Sequence, residues 1–141
     1  MSSVARRYYE RGRLSLDQGD WENAQESLRA ALDLAPGFGN ARVAYAIALA
    51  KANDCPRAAQ VLRAGLGRAT SPISQAAMYA TLGDVLVAGG DFFGAEEAFQ
   101  AAGRVPSFEA RCAAGLARAY ARLGRFADMS TQLRRAASLA K

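Results

Sequence analysis

The chain has 141 residues, of which 51% are hydrophobic and 22% charged, and its formal net charge is +5. These values are ordinary for one globular domain. The chain contains no histidine, which excludes Ser-His-Asp and Cys-His catalysis and histidine-based metal sites. Two cysteines, Cys55 and Cys112, suit neither a disulfide framework nor a zinc site. We therefore expect neither a metal nor a cofactor.

The apolar runs of the sequence are shorter than the roughly 20 residues that a membrane-spanning helix needs. The first residues, MSSVARRYYERGR, contain no apolar segment of the kind found in signal peptides. These two features predict a cytoplasmic protein without membrane insertion.

A hexamer recurs along the chain. It reads GDWENA from Gly19, GDFFGA from Gly90 and GRFADM from Gly124. The last two copies begin 34 residues apart, and the same period places a weaker fourth copy, NDCPRA, at Asn53. The first and third copies are three residues further apart than two periods, so three extra residues lie between them. A period of this length is typical of repeat architectures.

Each unit predicts two helices, because its apolar residues recur at spacings of three and four. Gly19, Gly90 and, as the next best residue, Asn53 suit the left-handed conformation that ends a first helix. The residue that follows can cap the second helix in three of the units, where it is Asp20, Asp54 or Asp91. Arg125 occupies this position in the fourth unit, so we expect that turn to be the least well capped.

The order of small and large residues resembles the tetratricopeptide repeat, W-x2-L-G-x2-Y, then A-x3-F, then P. The small position of the first helix holds Gly12, Ala46, Gly83 and Ala117. The small position of the second helix holds Ala24, Ala58 and Ala95, with Met129 in the fourth unit. The large residue four positions later is Leu28, Leu62, Phe99 or Leu133. Departures from the pattern are Arg11, Ser15, Arg42 and Cys55.

We set the repeats at residues 5–38, 39–72, 76–109 and 110–141, with 73–75 as the insertion and Ser71-Pro72 as a loop beside it. The resemblance implies an all-α fold over residues 1–141. That fold is an α-solenoid of four antiparallel helical hairpins, about eight helices, in a right-handed superhelix.

The last helix has a polar stripe through Ser130, Thr131, Arg134, Ser138 and Lys141, with its apolar residues on the other side. This one-sided pattern is typical of a surface helix. It favours a self-contained array of four hairpins over a piece of a longer array.

The resemblance also implies that the first helices line a concave groove. The residues that we assign to this groove are Arg6, Tyr9, Arg13, Val43, Ile47, Lys51, Asp84, Val87, Arg111, Arg118 and Arg122. An apolar middle flanked by arginines fits a peptide or helix with an apolar anchor and acidic flanks. The implied function is a non-catalytic scaffold or adaptor for a protein partner, and a bacterial secretion-type chaperone is the alternative.

Charge alternates between the units. Residues 76–109 hold one basic and five acidic residues, whereas 110–141 hold seven basic and one acidic. We therefore expect an uncompensated basic end that meets an acidic partner or an acidic unit of another copy. Nucleic-acid binding is a weaker alternative, because the acidic unit interrupts any phosphate track. Asp84 is an isolated acid in the implied groove, without the paired groups that catalysis needs, so we do not expect an enzyme.

Overall fold

The computed structural model describes residues 2–140. Its eight α-helices are α1 (Ser3–Asp17), α2 (Trp21–Leu34), α3 (Gly39–Lys51), α4 (Cys55–Leu66), α5 (Pro72–Gly89), α6 (Phe92–Ala102), α7 (Glu109–Leu123) and α8 (Phe126–Leu139). A short 3-10 helix, Pro106–Phe108, precedes α7. No strand occurs in residues 2–140, so the predicted all-α class is confirmed. Lys141, the last member of the predicted polar stripe, lies outside the described residues.

Consecutive helices pair as hairpins, α1 with α2, α3 with α4, α5 with α6, and α7 with α8. The predicted array of four helical hairpins is thus confirmed. The chain forms two compact units, one up to Ala69 with the first two hairpins and one from Thr70 with the last two. Within each compact unit the first helices of the two hairpins also contact one another, α1 with α3 and α5 with α7.

The hairpin turns use the predicted chemistry. The residue before each second-helix cap has a positive φ, between 66° and 87°, at Gly19, Asn53, Gly90 and Gly124. The three capping aspartates accept a backbone N–H three residues ahead, at 3.2 Å for Asp20, 3.4 Å for Asp54 and 2.9 Å for Asp91. Arg125 makes no such bond. The fourth turn is therefore the one without a side-chain cap, as predicted.

Small residues let the helices of each unit approach closely. In the first unit Leu28 is fully buried, and a Cβ added to Gly12 would lie 2.5 Å from its Cγ. In the second unit the ring of Phe99 lies between Gly83 of α5 and Gly115 of α7. Carbon atoms that are not bonded normally stay about 3.5 Å apart or more, so Phe99 fills the space that these two glycines leave.

The three extra residues before the third repeat lengthen its first helix, α5. Ser71 Oγ accepts the backbone N–H of Ser74 at 3.3 Å, and Pro72 is the first residue of α5. The predicted loop at Ser71-Pro72 is therefore wrong for Pro72. A proline at the first helical position has a suitable φ and lacks only a donor that the helix would leave unpaired.

Arg42 occupies a half-buried position of α3 where the repeat pattern has a large apolar residue. Its guanidinium donates to the carbonyl of Pro36 at 3.0 Å and to that of Val61, in α4, at 3.3 Å. Burial, followed by the nearby charge of Arg68, lowers the pKa of Arg42. This arginine therefore joins α3 to backbone carbonyls by hydrogen bonds, where a large apolar side chain would act by packing alone.

Helix α8 has no buried residue. Its described polar stripe faces solvent or is half-buried, which agrees with a surface helix. On its apolar side, Phe126 and Leu133 are 62% and 50% exposed.

Candidate protein-binding face

In the first unit, α3 presents an apolar ridge that ends in a cation. Val43 and Ile47 are half-buried and Lys51 is exposed. The three residues are spaced four apart, which places them on one side of a helix. A partner side chain laid on the Val43–Ile47 pair would therefore have an ammonium group one turn away.

The assigned residues of α1 form a second group in this unit. The Tyr9 ring lies 4.8 Å from the Phe38 ring, centroid to centroid, at an angle of 48°. The Arg13 guanidinium lies 5.8 Å from the centre of the Tyr9 ring, and its Nη1 donates to Tyr9 Oη at 2.8 Å. Tyr9 is thus held by packing on one side and by Arg13 on the other, while Arg6 is exposed.

In the second unit, Asp84 of α5 binds two arginines of α7. Arg111 Nη2 donates to Asp84 Oδ2 at 3.0 Å, and Arg118 Nη2 donates to Oδ1 at 2.7 Å. The three side chains, called the Asp84 cluster below, are 39% to 56% exposed. Pairs this exposed contribute about 0 to 1 kcal/mol each. The cluster therefore orients the two arginines more than it stabilises the fold.

The remaining assigned residues of the second unit lie beside this cluster. Val87 is half-buried, one turn after Asp84 on α5. The Arg122 guanidinium lies 4.9 Å from the centre of the Phe92 ring of α6, a cation–π distance. The structure therefore brings Asp84, Arg111 and Arg118 together, whereas Arg122 contacts α6, the second helix of the preceding hairpin.

The basic charge of the fourth hairpin is partly compensated within the chain. Arg125 pairs with Glu96 at 2.8 Å and with Asp128 at 2.9 Å, and Arg135 pairs with Glu109 at 3.5 Å. Asp84 binds two further arginines. Carboxylates of the acidic third repeat thus neutralise part of the expected basic end, and its pairing with an acidic partner stays a prediction.

Comparison with known proteins identifies the repeat. Two family models, each described as tetratricopeptide repeat, match residues 15–82 and 80–128. The chain belongs to the tetratricopeptide repeat family. A comparison with curated protein sequences gave no match.

Three solved structures illustrate the likeness of the fold. A crystal structure of MamA has a TM-score of 0.81 at 19% identity over 96% of this chain and 78% of that chain. MamA from Desulfovibrio magneticus RS-1, from residue 41 to its end, has a TM-score of 0.80 at 20% identity over 96% of this chain and 75% of that chain. A mutant O-GlcNAc transferase of Thermobaculum terrenum has 0.72 at 20% identity over 85% of this chain and 23% of its own. At these identities the likeness shows the fold.

The tetratricopeptide repeat period explains the shortest contact of the Asp84 cluster. Asp84 and Arg118 are 34 residues apart, so they occupy the same position in successive repeats. Neighbouring first helices bring such positions side by side. Both residues were selected from the sequence without being paired, and opposite charges one period apart were the signal that could have paired them.

The other chemically active groups are buried or isolated. Cys112 is buried in α7, and this burial raises the pKa of its thiol, which disfavours the reactive thiolate. In residues 2–140 no three His, Cys, Asp or Glu side chains are grouped so that they could hold a metal ion. None of the described helices has the length and hydropathy of a membrane span.

A cleft of about 300 Å³ lies between α6, α7 and α8. Phe99, Cys112 and Leu116 form part of its lining, together with the amide of Gln132. The Oε1 atom of Gln132 is buried and has no hydrogen-bond partner within the described residues. We assign no role to this cleft.

Proposed function

We propose that this tetratricopeptide repeat protein is a non-catalytic adaptor that holds a segment of a partner protein on the first helices of its hairpins. The segment has an apolar anchor and acidic flanks. The observation that carries the proposal is the Asp84 cluster, in which one carboxylate fixes Arg111 and Arg118 on an exposed face. Concave faces of stacked repeats are the surfaces on which such proteins usually bind partners.

The arginines of the cluster retain donors for a ligand. A guanidinium has five N–H donors, and each arginine gives Asp84 one hydrogen bond from Nη2. Two arginines and one carboxylate leave a net charge of about +1, which favours an acidic ligand. The Asp84 cluster thus supplies a basic surface on the second unit for the acidic flanks.

The spacing of the two arginines defines the ligand further. They are seven residues apart on α7, or about 10.5 Å along the helix axis at 1.5 Å per residue. An extended peptide covers this distance in about three residues. Acidic side chains spaced about three apart in an extended segment therefore match the pair.

The first unit has an apolar surface of its own, the Val43–Ile47 pair, which we propose holds the apolar anchor. Both side chains are half-buried, so a ligand side chain placed on them removes further apolar surface from water. Such burial contributes about 25 cal/mol per Å². Lys51, one turn on, pairs with an acidic residue that flanks the anchor.

Nucleic acid fits this surface less well. Asp84 and Glu96 place carboxylates directly among Arg111, Arg118 and Arg125. A phosphate backbone requires a run of basic groups free to neutralise it. The ion pairs therefore favour a protein ligand with a few carboxylates.

A peptide selection tests the proposal. A random peptide library displayed on phage is selected on the immobilised full chain, and the enriched peptides are measured by fluorescence polarisation. We expect Asp and Glu around an apolar residue. Ile47→Glu and Arg118→Glu should each weaken binding about tenfold or more, equivalent to about 1.4 kcal/mol.

Arg63→Glu is the matched control, since Arg63 is exposed on the second helix α4, and it should leave the affinity unchanged. Asp84→Asn should tighten binding, by a factor that shrinks as salt is added. Enrichment of basic peptides, or equal losses in the Arg63→Glu and Arg118→Glu variants, would contradict the proposal.

A further inference from the structure

Contacts between the third and fourth hairpins show what one repeat requires of the next. Phe99 packs on Gly115 of α7. Asp84 binds Arg111 and Arg118, and Phe92 lies under the guanidinium of Arg122. The positions that a following helix contacts are therefore those of Phe99, Asp84 and Phe92.

The same three positions of the fourth hairpin, 34 residues later, hold Leu133, Arg118 and Phe126. These residues are called the α8 edge. Leu133 is 50% exposed, although Phe99, its equivalent, is fully buried. Phe126 is 62% exposed, and the Arg118 side chain is 56% exposed. The α8 edge thus keeps the contact positions of a repeat but carries a cation where the previous repeat carries a carboxylate.

We propose that the α8 edge is a docking site for an amphipathic helix of a partner protein. The side chains expected of this partner helix follow from those of α7, which packs on the third hairpin, with the charges that face the edge reversed. A small residue faces Leu133, as Gly115 faces Phe99. In the partner helix, acidic residues lie four positions before and three positions after this small residue, so that both reach Arg118. A basic residue lies seven positions after the small residue and covers Phe126.

A second copy of this chain does not have that chemistry. In the same register, α1 places Glu10 at the small position and Arg6 and Arg13 at the two acidic positions. Glu10 is too large to seat Leu133, and both arginines would face Arg118. Like charges in contact disfavour such pairing. A second copy is therefore a poor match for the charges of the α8 edge, and the proposed occupant is a helix of a partner protein.

The probe is a synthetic peptide of the α7 sequence, residues 109–123, that carries Arg111→Glu, Arg118→Glu and Cys112→Ala. The charge control carries Cys112→Ala alone, and a size control adds Gly115→Leu to the probe. Each is labelled with fluorescein, and its binding to the full chain is measured by fluorescence polarisation. We expect the probe to bind about tenfold more tightly than either control peptide.

Variants of the chain locate the site. Leu133→Glu should weaken probe binding about tenfold, whereas Leu14→Glu, a matched change at a residue 57% exposed on α1, should not. Ile47→Glu should weaken probe binding much less than Leu133→Glu does, which separates this site from the one proposed above. Arg118→Glu should reverse the preference in favour of the arginine peptide. Circular dichroism verifies that each variant is folded.

Three outcomes would overturn the proposal. The first is equal affinity for the probe and the charge control. The second is loss of binding in Ile47→Glu but not in Leu133→Glu. The third is an occupant other than a partner protein, either a second copy, seen as sedimenting dimers that Leu133→Glu dissociates, or a helix that follows residue 141 in the native polypeptide.

Discussion

The ring of Phe99 rests on the backbone of Gly115, so that a Cβ added to this glycine would lie 2.5 Å from the ring. Phe99 is fully buried, and it reaches Gly83 on its other side in the same way. One aromatic side chain therefore sets the distance between α6 and both first helices of the second unit.

Gly115→Ala should lower the free energy of unfolding by about 1 to 3 kcal/mol, because the methyl group overpacks the Phe99 ring. Urea denaturation followed by circular dichroism measures the loss. Combining it with Phe99→Leu should cost less than the sum of the two single changes, since leucine leaves room for the methyl.

Gly37→Ala is the matched control for this prediction. No atom lies within 4 Å of the Cβ position of Gly37, so its effect should stay within about 0.5 kcal/mol. A loss at Gly37 as large as that at Gly115 would show that crowding against Phe99 is not the cause.

The capping aspartates should differ in their contribution to stability. Asp91→Ala should lower the free energy of unfolding by about 1 kcal/mol, because its Oδ1 accepts the Gly94 N–H at 2.9 Å. Asp54→Ala should cost less, since its bond to the Arg57 N–H is 3.4 Å long. Thermal and urea denaturation compare the two, with Asp33→Ala on the exposed side of α2 as control. A reversed order would contradict the link between bond length and stability.

The fold could be predicted from the sequence because its determinants are local. The Gly-Asp and Asn-Asp turns specify where a helix ends and the next begins, and the small and large positions specify which sides meet. Pro72 was misassigned because a proline after serine is equally compatible with a loop and with the first turn of a helix. Only the helical hydrogen bonds of the following residues decide between the two.

The candidate site was less predictable, since its side chains are long and reach other repeats. The sequence located Asp84, Arg111 and Arg118 on first helices but did not pair them. The charge count predicted a basic end but not its ion pairs, such as the one from Arg125 to Glu96 in the repeat before. The exposure of Leu133 depends on which helix follows it, which the repeat pattern does not encode.

Cys112 should react slowly with alkylating agents, because it is buried and its thiol pKa is raised by that burial. Iodoacetamide labelling followed by mass spectrometry should modify the half-buried Cys55 first. Labelling of Cys112 should rise only with urea, as the second unit opens. Equal rates at both cysteines in native buffer would contradict this prediction.

The raised pKa of the Cys112 thiol makes the stability of the fold depend on pH. The folded chain holds the Cys112 proton more tightly than the unfolded chain does. The contribution of Cys112 to stability is therefore complete below the ordinary thiol pKa, about 8.5, and is lost as the pH rises from there through the raised pKa of the folded state. Cys112→Ala should flatten this decline in a series of urea denaturations, and Cys55→Ala serves as the matched control.

Arg42 tests whether a half-buried cation is replaceable. Its pKa is lowered mainly by burial, so the fold disfavours its charge, while its hydrogen bonds to Pro36 and Val61 oppose that cost. Arg42→Leu should be neutral or raise the free energy of unfolding by about 1 kcal/mol, because a well-packed apolar residue often replaces a buried charge without loss. Arg42→Ala should lower it by about 1 to 2 kcal/mol, since it removes both the packing and the bonds. Equal losses for leucine and alanine in urea denaturation would show instead that the two carbonyl bonds, and not the volume of the side chain, hold α3 in place.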